Sequence, residues 1–408
     1  MTQALEARKV RVLVVGGGYA GVLATVRMAR RVRSVAEVTL VNDGPNFVER
    51  IRLHQLAVGQ PLPQRPIAPM LRGTGARLLV GRVTDLDPGG RTVTVTAAEG
   101  PLCLSYDYLV YTLGSARSPS DIEGLADHAH DVATEPAARR LASRLARCRE
   151  GERVTVVGAG LTGIELSTEI AESRPDLRVT LLTFGTLGEN LSAAGAATVE
   201  RAMADLSIDV RERCDVAAVT SRSVWTTAGE DLESDVTVWC GGFAPDGLAR
   251  SWGLATLPDG RMAVDGHLRS LGAPEVFGAG DGVGIAAESA RYIRMGCVTA
   301  MPLGATAADN VVASIEGRPL VPFGFGFFAR CVSLGRRRGL IQRVDSEDRP
   351  LESVVAGRVG AKIKEGVCRF TIAALAMERL LPGTYSWPRR HVPVSPGSTS
   401  GELATTIG

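Results

Sequence analysis

Short valine-rich runs divide the chain: residues 10–15 read Val-Arg-Val-Leu-Val-Val and residues 154–157 read Val-Thr-Val-Val. Both are too short for helices and rich in β-branched residues, so they predict buried strands. Each runs into a glycine-rich turn and then into a helix-forming stretch, residues 22–31 after the first and 164–173 after the second. A second strand follows in each copy, at residues 37–41 and Arg178–Leu182, so the chain writes one strand–turn–helix–strand plan twice.

Residues 77–96 predict further strands around the turn Pro88-Gly89-Gly90, and Ser118-Pro119-Ser120 marks a linker. The second unit begins near Gly151 and ends at about residues 239–243. Val276-Phe277-Gly278-Ala279-Gly280-Asp281 then forms a strand entering a glycine turn that carries a carboxylate. One domain inserted within another is the simplest arrangement that returns the chain there. Farther on, Ile363, Val367, Phe370, Ala374 and Leu375 have helical spacing, with Lys362, Lys364 and Arg369 elsewhere on the wheel. Such a helix either covers a core or lies in a bilayer interface, which makes peripheral membrane contact one expectation. The Ser/Thr/Gly-rich tail from Ser395 onward is expected to be mobile.

The two turns carry the chemistry. Gly16-Gly17-Gly18-Tyr19-Ala20-Gly21 and Gly158-Ala159-Gly160-Leu161-Thr162-Gly163 both have glycine at the first, third and sixth positions. The first glycine permits the tight turn, the second lets the main chain approach a pyrophosphate, and the third lets helix pack close to strand. The helix N-terminus then attracts the phosphates. One match is weak evidence; two nested copies in the right context imply two bound dinucleotides.

Composition narrows the partners. A chain of 408 residues calls for two or three domains, and a formal net charge of +2 leaves no electrostatic footprint for nucleic acid. Lysine occurs only at positions 9, 362 and 364, so the positive charge is almost all arginine. The seven cysteines are scattered with no Cys-x-x-Cys pair, which argues for reduced thiols and against a redox dithiol. The five histidines do not group with them at ligand spacing, so no metal site is expected. The polar opening at residues 1–9 lacks the pattern of a secretory signal, and no run of about 18 apolar residues occurs. A cytoplasmic location is expected, with the inner face of the membrane as the variant.

With these motifs in place, the sequence resembles flavoproteins with two dinucleotide-binding domains. Within them it is similar to type II NADH:quinone oxidoreductases and their apoptosis-inducing-factor-like relatives. The resemblance rests on the first fingerprint, residues 106–115 (Tyr-Asp-Tyr-Leu-Val-Tyr-Thr-Leu-Gly-Ser), the second fingerprint continuing into Ile164 and Glu165, Val238-Trp239-Cys240-Gly241-Gly242-Phe243, and Val264-Asp265 ahead of the Gly278–Asp281 turn. It implies an α/β fold of two nested Rossmann-like domains plus a C-terminal α/β segment. The FAD domain is discontinuous, at residues 1–117 and 251–320. The NAD(P)-type domain is inserted at 118–250, and the C-terminal segment spans 321–408. It implies FAD on the first domain, held by Gly16, Gly18, Tyr19, Ala20, Gly21, Asn42, Asp43, Arg50, Val83, Leu113, Gly114, Gly280, Asp281 and Met301, with Asp281 bonding the ribityl chain. NAD(P)H is implied on the second, held by Gly158, Gly160, Leu161, Thr162, Gly163 and Thr183.

Departures from the family pattern bear on donor and acceptor. The ribose-binding acid of the first domain is replaced by Asn42, followed by Asp43; its counterpart in the second is Thr183, which leaves NADH versus NADPH open. Glu165, two positions past the third glycine, is the residue expected to position the nicotinamide or relay a proton, against the plainer role of complementing the helix dipole. Glu169 is expected to be that plain, solvated carboxylate. Where relatives carry quinone-facing glutamines, this chain has Met301, Ala305 and Thr306, and Met301 either walls a different substrate site or packs.

Three functions remain open at this stage. The first is an FAD enzyme passing electrons from NAD(P)H to a quinone or small acceptor. The second is an FAD-dependent oxidase or dehydrogenase of specialised metabolism, reduced by an organic substrate and reoxidised by dioxygen. The third is a redox-sensing flavoprotein controlling a partner.

Overall fold

The structure is a computed structural model that describes residues 8–390; the tail from Ser395 lies outside the described residues. Strand Val10–Val15 lies at the centre of a ten-stranded sheet, parallel to Ala36–Asn42 on one side and Tyr108–Tyr111 on the other. Arg77–Asp87 extends the parallel part, and Thr92–Ala97 and Gly100–Ser105 continue it as an antiparallel meander. On the opposite side Ala273–Gly278 pairs in parallel with Tyr108–Tyr111. Strands from both ends of a long stretch of chain therefore share one sheet. Between them lies a second, five-stranded parallel sheet in the order Asp209–Arg211, Arg178–Leu182, Arg153–Val157, Val236–Trp239, Ala129–Asp131.

The valine runs form buried strands because helices cover both faces of a parallel sheet. Val12, Val14 and Val15 are fully buried, as are Val154 and Val156. Helix Tyr19–Ala29 is buried on every side, which explains its nearly continuous apolar sequence. It crosses helix Cys297–Ile315 so closely that a Cβ on Gly304 would stand 2.4 Å from the Ala20 carbonyl oxygen. Glycine at 304 is thus the condition for the crossing.

The C-terminal segment is a three-stranded antiparallel sheet (Ala329–Ser333, Gly339–Val344, Pro350–Ala356) followed by helix Gly357–Leu380. The helix forms as the apolar spacing predicts, but turned about its axis. Lys364, Cys368, Thr371, Ala374, Leu375 and Glu378 face inward, whereas Ile363 and Phe370 are 40% and 52% exposed. The charged residues go inside because each finds an opposite charge: Lys364 pairs with Glu165 at 2.8 Å, Glu378 binds Arg27 at 2.8 Å, and Arg27 also forms a two-pronged pair with Asp309 at 2.9 and 3.0 Å. The same Glu378 accepts the Tyr385 N–H at 2.7 Å, tying the turn after the helix to helix Tyr19–Ala29. Among the described residues no helix is long and apolar enough to cross a membrane.

Candidate dinucleotide cradles and the junction between them

The two glycine turns are near-copies in space. Their first glycines, Gly16 and Gly158, have φ of 104° and 106°, the left-handed region that favours glycine. A Cβ on either would meet a carbonyl of the next strand's end, Thr112 O at 2.6 Å or Cys240 O at 2.7 Å. The third glycines, Gly21 and Gly163, would each place a Cβ 1.8 Å from the carbonyl oxygen of the first, so helix and strand touch through them. The middle glycines differ from both: Gly18 and Gly160 face open space, with nothing within 4 Å of a Cβ. Each turn therefore presents a bare main-chain concavity at a helix N-terminus, the shape and polarity that a pyrophosphate requires.

Around the first cradle the structure collects most of the residues expected to bind FAD. The Asn42 side chain accepts the Gly17 N–H at 2.7 Å and donates to the Gly44 carbonyl at 2.7 Å, while Asp43 is exposed. Asn42 thus braces the turn, which explains how the domain keeps its loop without the usual acid. Asp281 accepts the Gly296 N–H at 2.7 Å and the Ser115 hydroxyl at 3.1 Å. Arg50 donates to that same Ser115 hydroxyl at 3.2 Å and approaches Gly114, where a Cβ would be 2.9 Å from Nη1. The Gly280–Gly282 turn abuts Leu113, whose carbonyl would be 2.2 Å from a Cβ on Gly282. Tyr19 and Ala20 are buried beneath the cradle, and Val83 is half-buried on Arg77–Asp87, paired with Val95. Met301 is 3% exposed and part of the main core, so the geometry supports the packing role for it.

Around the second cradle, Leu161 and Thr162 open the helix and Thr183 ends the adjacent strand, 6% exposed. Thr162 lines a small cleft with Arg117, Asp131, Trp239, Cys240 and Gly242.

Glu165 lies where three parts of the chain meet. Its carboxylate is 2.8 Å from Lys364 Nζ on the C-terminal helix, accepts the Ser333 N–H at 2.9 Å, and stands 3.7 Å from His54 Nδ1. Burial pushes its pKa up, but Lys364, then His54 and the Ser333 N–H outweigh this and hold it below the usual carboxylate value. Lys364 is 6% exposed and also donates to the Cys331 carbonyl at 2.9 Å. Burial lowers the Lys364 pKa, yet Glu165 outweighs that and raises it, so both partners are ionised at neutral pH. His54 is 3% exposed, and burial lowers its pKa to about 4 against the pull of Glu165. Neither Lys364, Ser333 nor the pairing of His54 was legible beforehand; a lysine in a nearly lysine-free chain was the only signal.

Glu169, expected to be solvated, is instead 1% exposed. The turn between Ser333 and Gly339 folds over helix Leu161–Ser173 and covers it. Burial raises its pKa to about 7 against Arg336 and the donated Gln60 amide. A folded value above the unfolded 4.5 means that stability contributed by neutral Glu169 is complete below pH 4.5 and lost as pH rises through about 7. His54 acts oppositely, its share being present above about 6.5 and lost as pH falls toward 4. Glu169→Gln is expected to be more stable than the parent at pH 8 by on the order of 2–3 kcal/mol, and nearly equal to it at pH 4.5. Urea midpoints at the two pH values check this; an equal difference at both would remove the buried-acid account.

The described cysteines are all free thiols, and burial lifts those near Lys364, with Cys297 at about 11. Such thiols carry little thiolate at neutral pH. No group of three or more His, Cys, Asp and Glu side chains able to hold a metal occurs among the described residues.

Residues 10–302 match the pyridine nucleotide-disulphide oxidoreductase family, and the chain belongs to it. It is 30% identical over 347 residues to an NADH dehydrogenase-like protein of Mycobacterium tuberculosis, covering 80% of this chain and 86% of that protein. To the type II NADH:quinone oxidoreductase of Staphylococcus aureus it is 23% identical over 361 residues, covering 81% and 89%. The fold is similar to that of the sulfide:quinone oxidoreductase of Aquifex aeolicus, with a TM-score of 0.77, 19% identity and coverage of 92% and 93%. The chain is therefore an NAD(P)H-dependent flavoprotein oxidoreductase of the NADH dehydrogenase-like kind, with FAD as its flavin.

Proposed function

We propose that the first cradle holds FAD, the second NAD(P)H, and that electrons leave to a quinone or another small organic acceptor. The observation that carries this reading is the duplicated cradle, in which Gly18 and Gly160 alone among the fingerprint glycines named above face open space. The chemistry that FAD would supply there is hydride acceptance from the nicotinamide and electron delivery to the acceptor. The main chain of residues 16–21 and 158–163 would hold the two diphosphates, and the Arg50, Ser115 and Asp281 cluster would help to orient FAD. Glu165, kept anionic by Lys364, serves as a positioning residue for the nicotinamide; a carboxylate of lowered pKa is poorly suited to carry a proton at neutral pH. The outward strip Val359, Ile363, Phe370, Met377 and Leu380, flanked by Arg358, Lys362 and Arg369, suits contact with an anionic membrane surface and so with a lipid-borne quinone.

The direct test is anaerobic mixing with NADH and NADPH while flavin absorbance is followed, then addition of a soluble quinone analogue. Bleaching by a nicotinamide nucleotide and recovery by the quinone are expected; bleaching by neither nucleotide overturns the proposal. In the same experiment Glu165→Gln is expected to lower the limiting rate of reduction by roughly ten-fold or more, with FAD content unchanged. A normal limiting rate with a lowered melting temperature would reduce Glu165 to a structural ion pair. The specialised-metabolism alternative rested on Met301 and Thr183, and the burial of Met301 gives it no open substrate wall.

A further inference from the structure

The backbone register makes the two domains comparable residue by residue. Gly16 N–H donates to the Val41 carbonyl at 2.8 Å, and Gly158 N–H donates to that of Leu182 at 2.7 Å. Thr183, Phe184 and Gly185 are thereby the counterparts of Asn42, Asp43 and Gly44. At this strand end an NAD site places a carboxylate that accepts the ribose 2′-hydroxyl and repels a 2′-phosphate. Here the positions hold a buried threonine and a phenylalanine that is 78% exposed. An aromatic ring left in water beside the cradle is a face on which an adenine can stack.

The cation that the strand itself lacks arrives from the neighbouring one. Cys214 N–H donates to the Thr183 carbonyl at 2.9 Å and Arg213 N–H donates to the Gly185 carbonyl at 3.1 Å, so residues 213–214 run directly alongside 183–185. Arg213 is exposed and has no carboxylate partner among the described residues, whereas Arg211 is bonded to Asp209 at 2.9 Å. Two of the acids near this loop are engaged by its main chain: Glu189 accepts the Thr186 N–H at 3.3 Å and Glu212 accepts the Leu187 N–H at 2.7 Å.

We propose that the second cradle selects NADPH over NADH, with Arg213 meeting the 2′-phosphate and Phe184 covering the adenine. This rests on the reading of that cradle as the nicotinamide site. An unpaired guanidinium beside a strand end whose own positions 183 and 184 carry no carboxylate favours the extra dianion by charge and by two-pronged hydrogen bonding.

The test compares calorimetric binding of 2′,5′-ADP and 5′-AMP to the FAD-loaded protein, alongside anaerobic flavin reduction by NADPH and NADH. Binding of 2′,5′-ADP at least ten-fold tighter, with the same order for the nucleotides, is expected. Arg213→Gln should erase that difference, while Phe184→Ala should weaken both adenylates by a similar factor; both positions are exposed, so melting temperatures should hold. Tighter or equal binding of 5′-AMP, or flavin reduction by NADH alone, overturns the selectivity and leaves the proposed function standing. A preference that survives in Arg213→Gln overturns the role of that residue. Failure of both adenylates to bind, with neither nucleotide bleaching the flavin, would overturn the nicotinamide site itself.

Discussion

Gly160→Asp is expected to abolish flavin reduction by NADPH and NADH while leaving FAD bound and the fold intact. The backbone at this position is extended, with φ −65° and ψ 174°, so any residue can adopt it, and nothing lies within 4 Å of the added Cβ. Gly160 is also the N-cap of helix Leu161–Ser173, where aspartate is a better cap than glycine by a few tenths of a kcal/mol. The substitution should therefore not lower the melting temperature. Its carboxylate would stand where the diphosphate must approach the main chain, adding a like charge and filling the space. Gly18, with φ −81° and equally open surroundings, is the internal comparison: Gly18→Asp should lose FAD and leave the second cradle able to bind adenylates. Stopped-flow reduction with flavin quantification reads both. Normal reduction of Gly160→Asp by either nucleotide would show that the second cradle is not the donor site.

The second large effect is expected at Lys364. Replacing it by methionine leaves Glu165 buried with the Ser333 N–H at 2.9 Å and a neutral His54 as its nearest polar neighbours. Removing one partner of a buried ion pair costs about 3–5 kcal/mol, because the remaining charge is uncompensated. The pH dependence should change sign as well. In the parent, the depressed pKa of Glu165 gives stability that is present above its unfolded value and lost as pH falls through the folded one. Without Lys364, desolvation outweighs the remaining Ser333 hydrogen bond and raises that pKa, so the variant should regain stability as the pH is lowered. Adding Glu165→Gln to Lys364→Met should recover much of the loss, since no charge is then left buried. Urea unfolding at pH 5 and pH 8 measures all of this. A loss below about 1 kcal/mol, insensitive to pH, would mean that water reaches the pair and that the junction is not held by it.

Much of the candidate site was legible because its chemistry is local. A pyrophosphate cradle is made by the main chain of six consecutive residues, and the glycines it needs are dictated by short-range sterics: the left-handed φ at Gly16 and Gly158, and the 1.8 Å approach at Gly21 and Gly163. Gly114 and Asp281 could be named because each follows a strand in a glycine turn, and Arg50 through the family resemblance alone, although only the fold brings Arg50 and Asp281 to one hydroxyl, that of Ser115. Which face of the C-terminal helix turns inward was not legible, for a physical reason. Apolar spacing assumes that charges point outward, and that assumption fails when a charge is neutralised by a residue two domains away. Lys364 and Glu378 go inside because Glu165 and Arg27 are waiting there, and Ile363 and Phe370 turn outward in consequence.

By itself the sequence determined the parallel strands, the doubled cradle and the class of cofactor, because valine runs and glycine spacing act through neighbours along the chain. The tertiary structure decided what contacts between distant segments decide: that Glu165 is paired with Lys364, that Glu169 is buried under the turn between Ser333 and Gly339, and that Arg213 lies beside Thr183 and Gly185. Charge state, burial and proximity depend on which surfaces the folded chain presses together, and no local pattern specifies those.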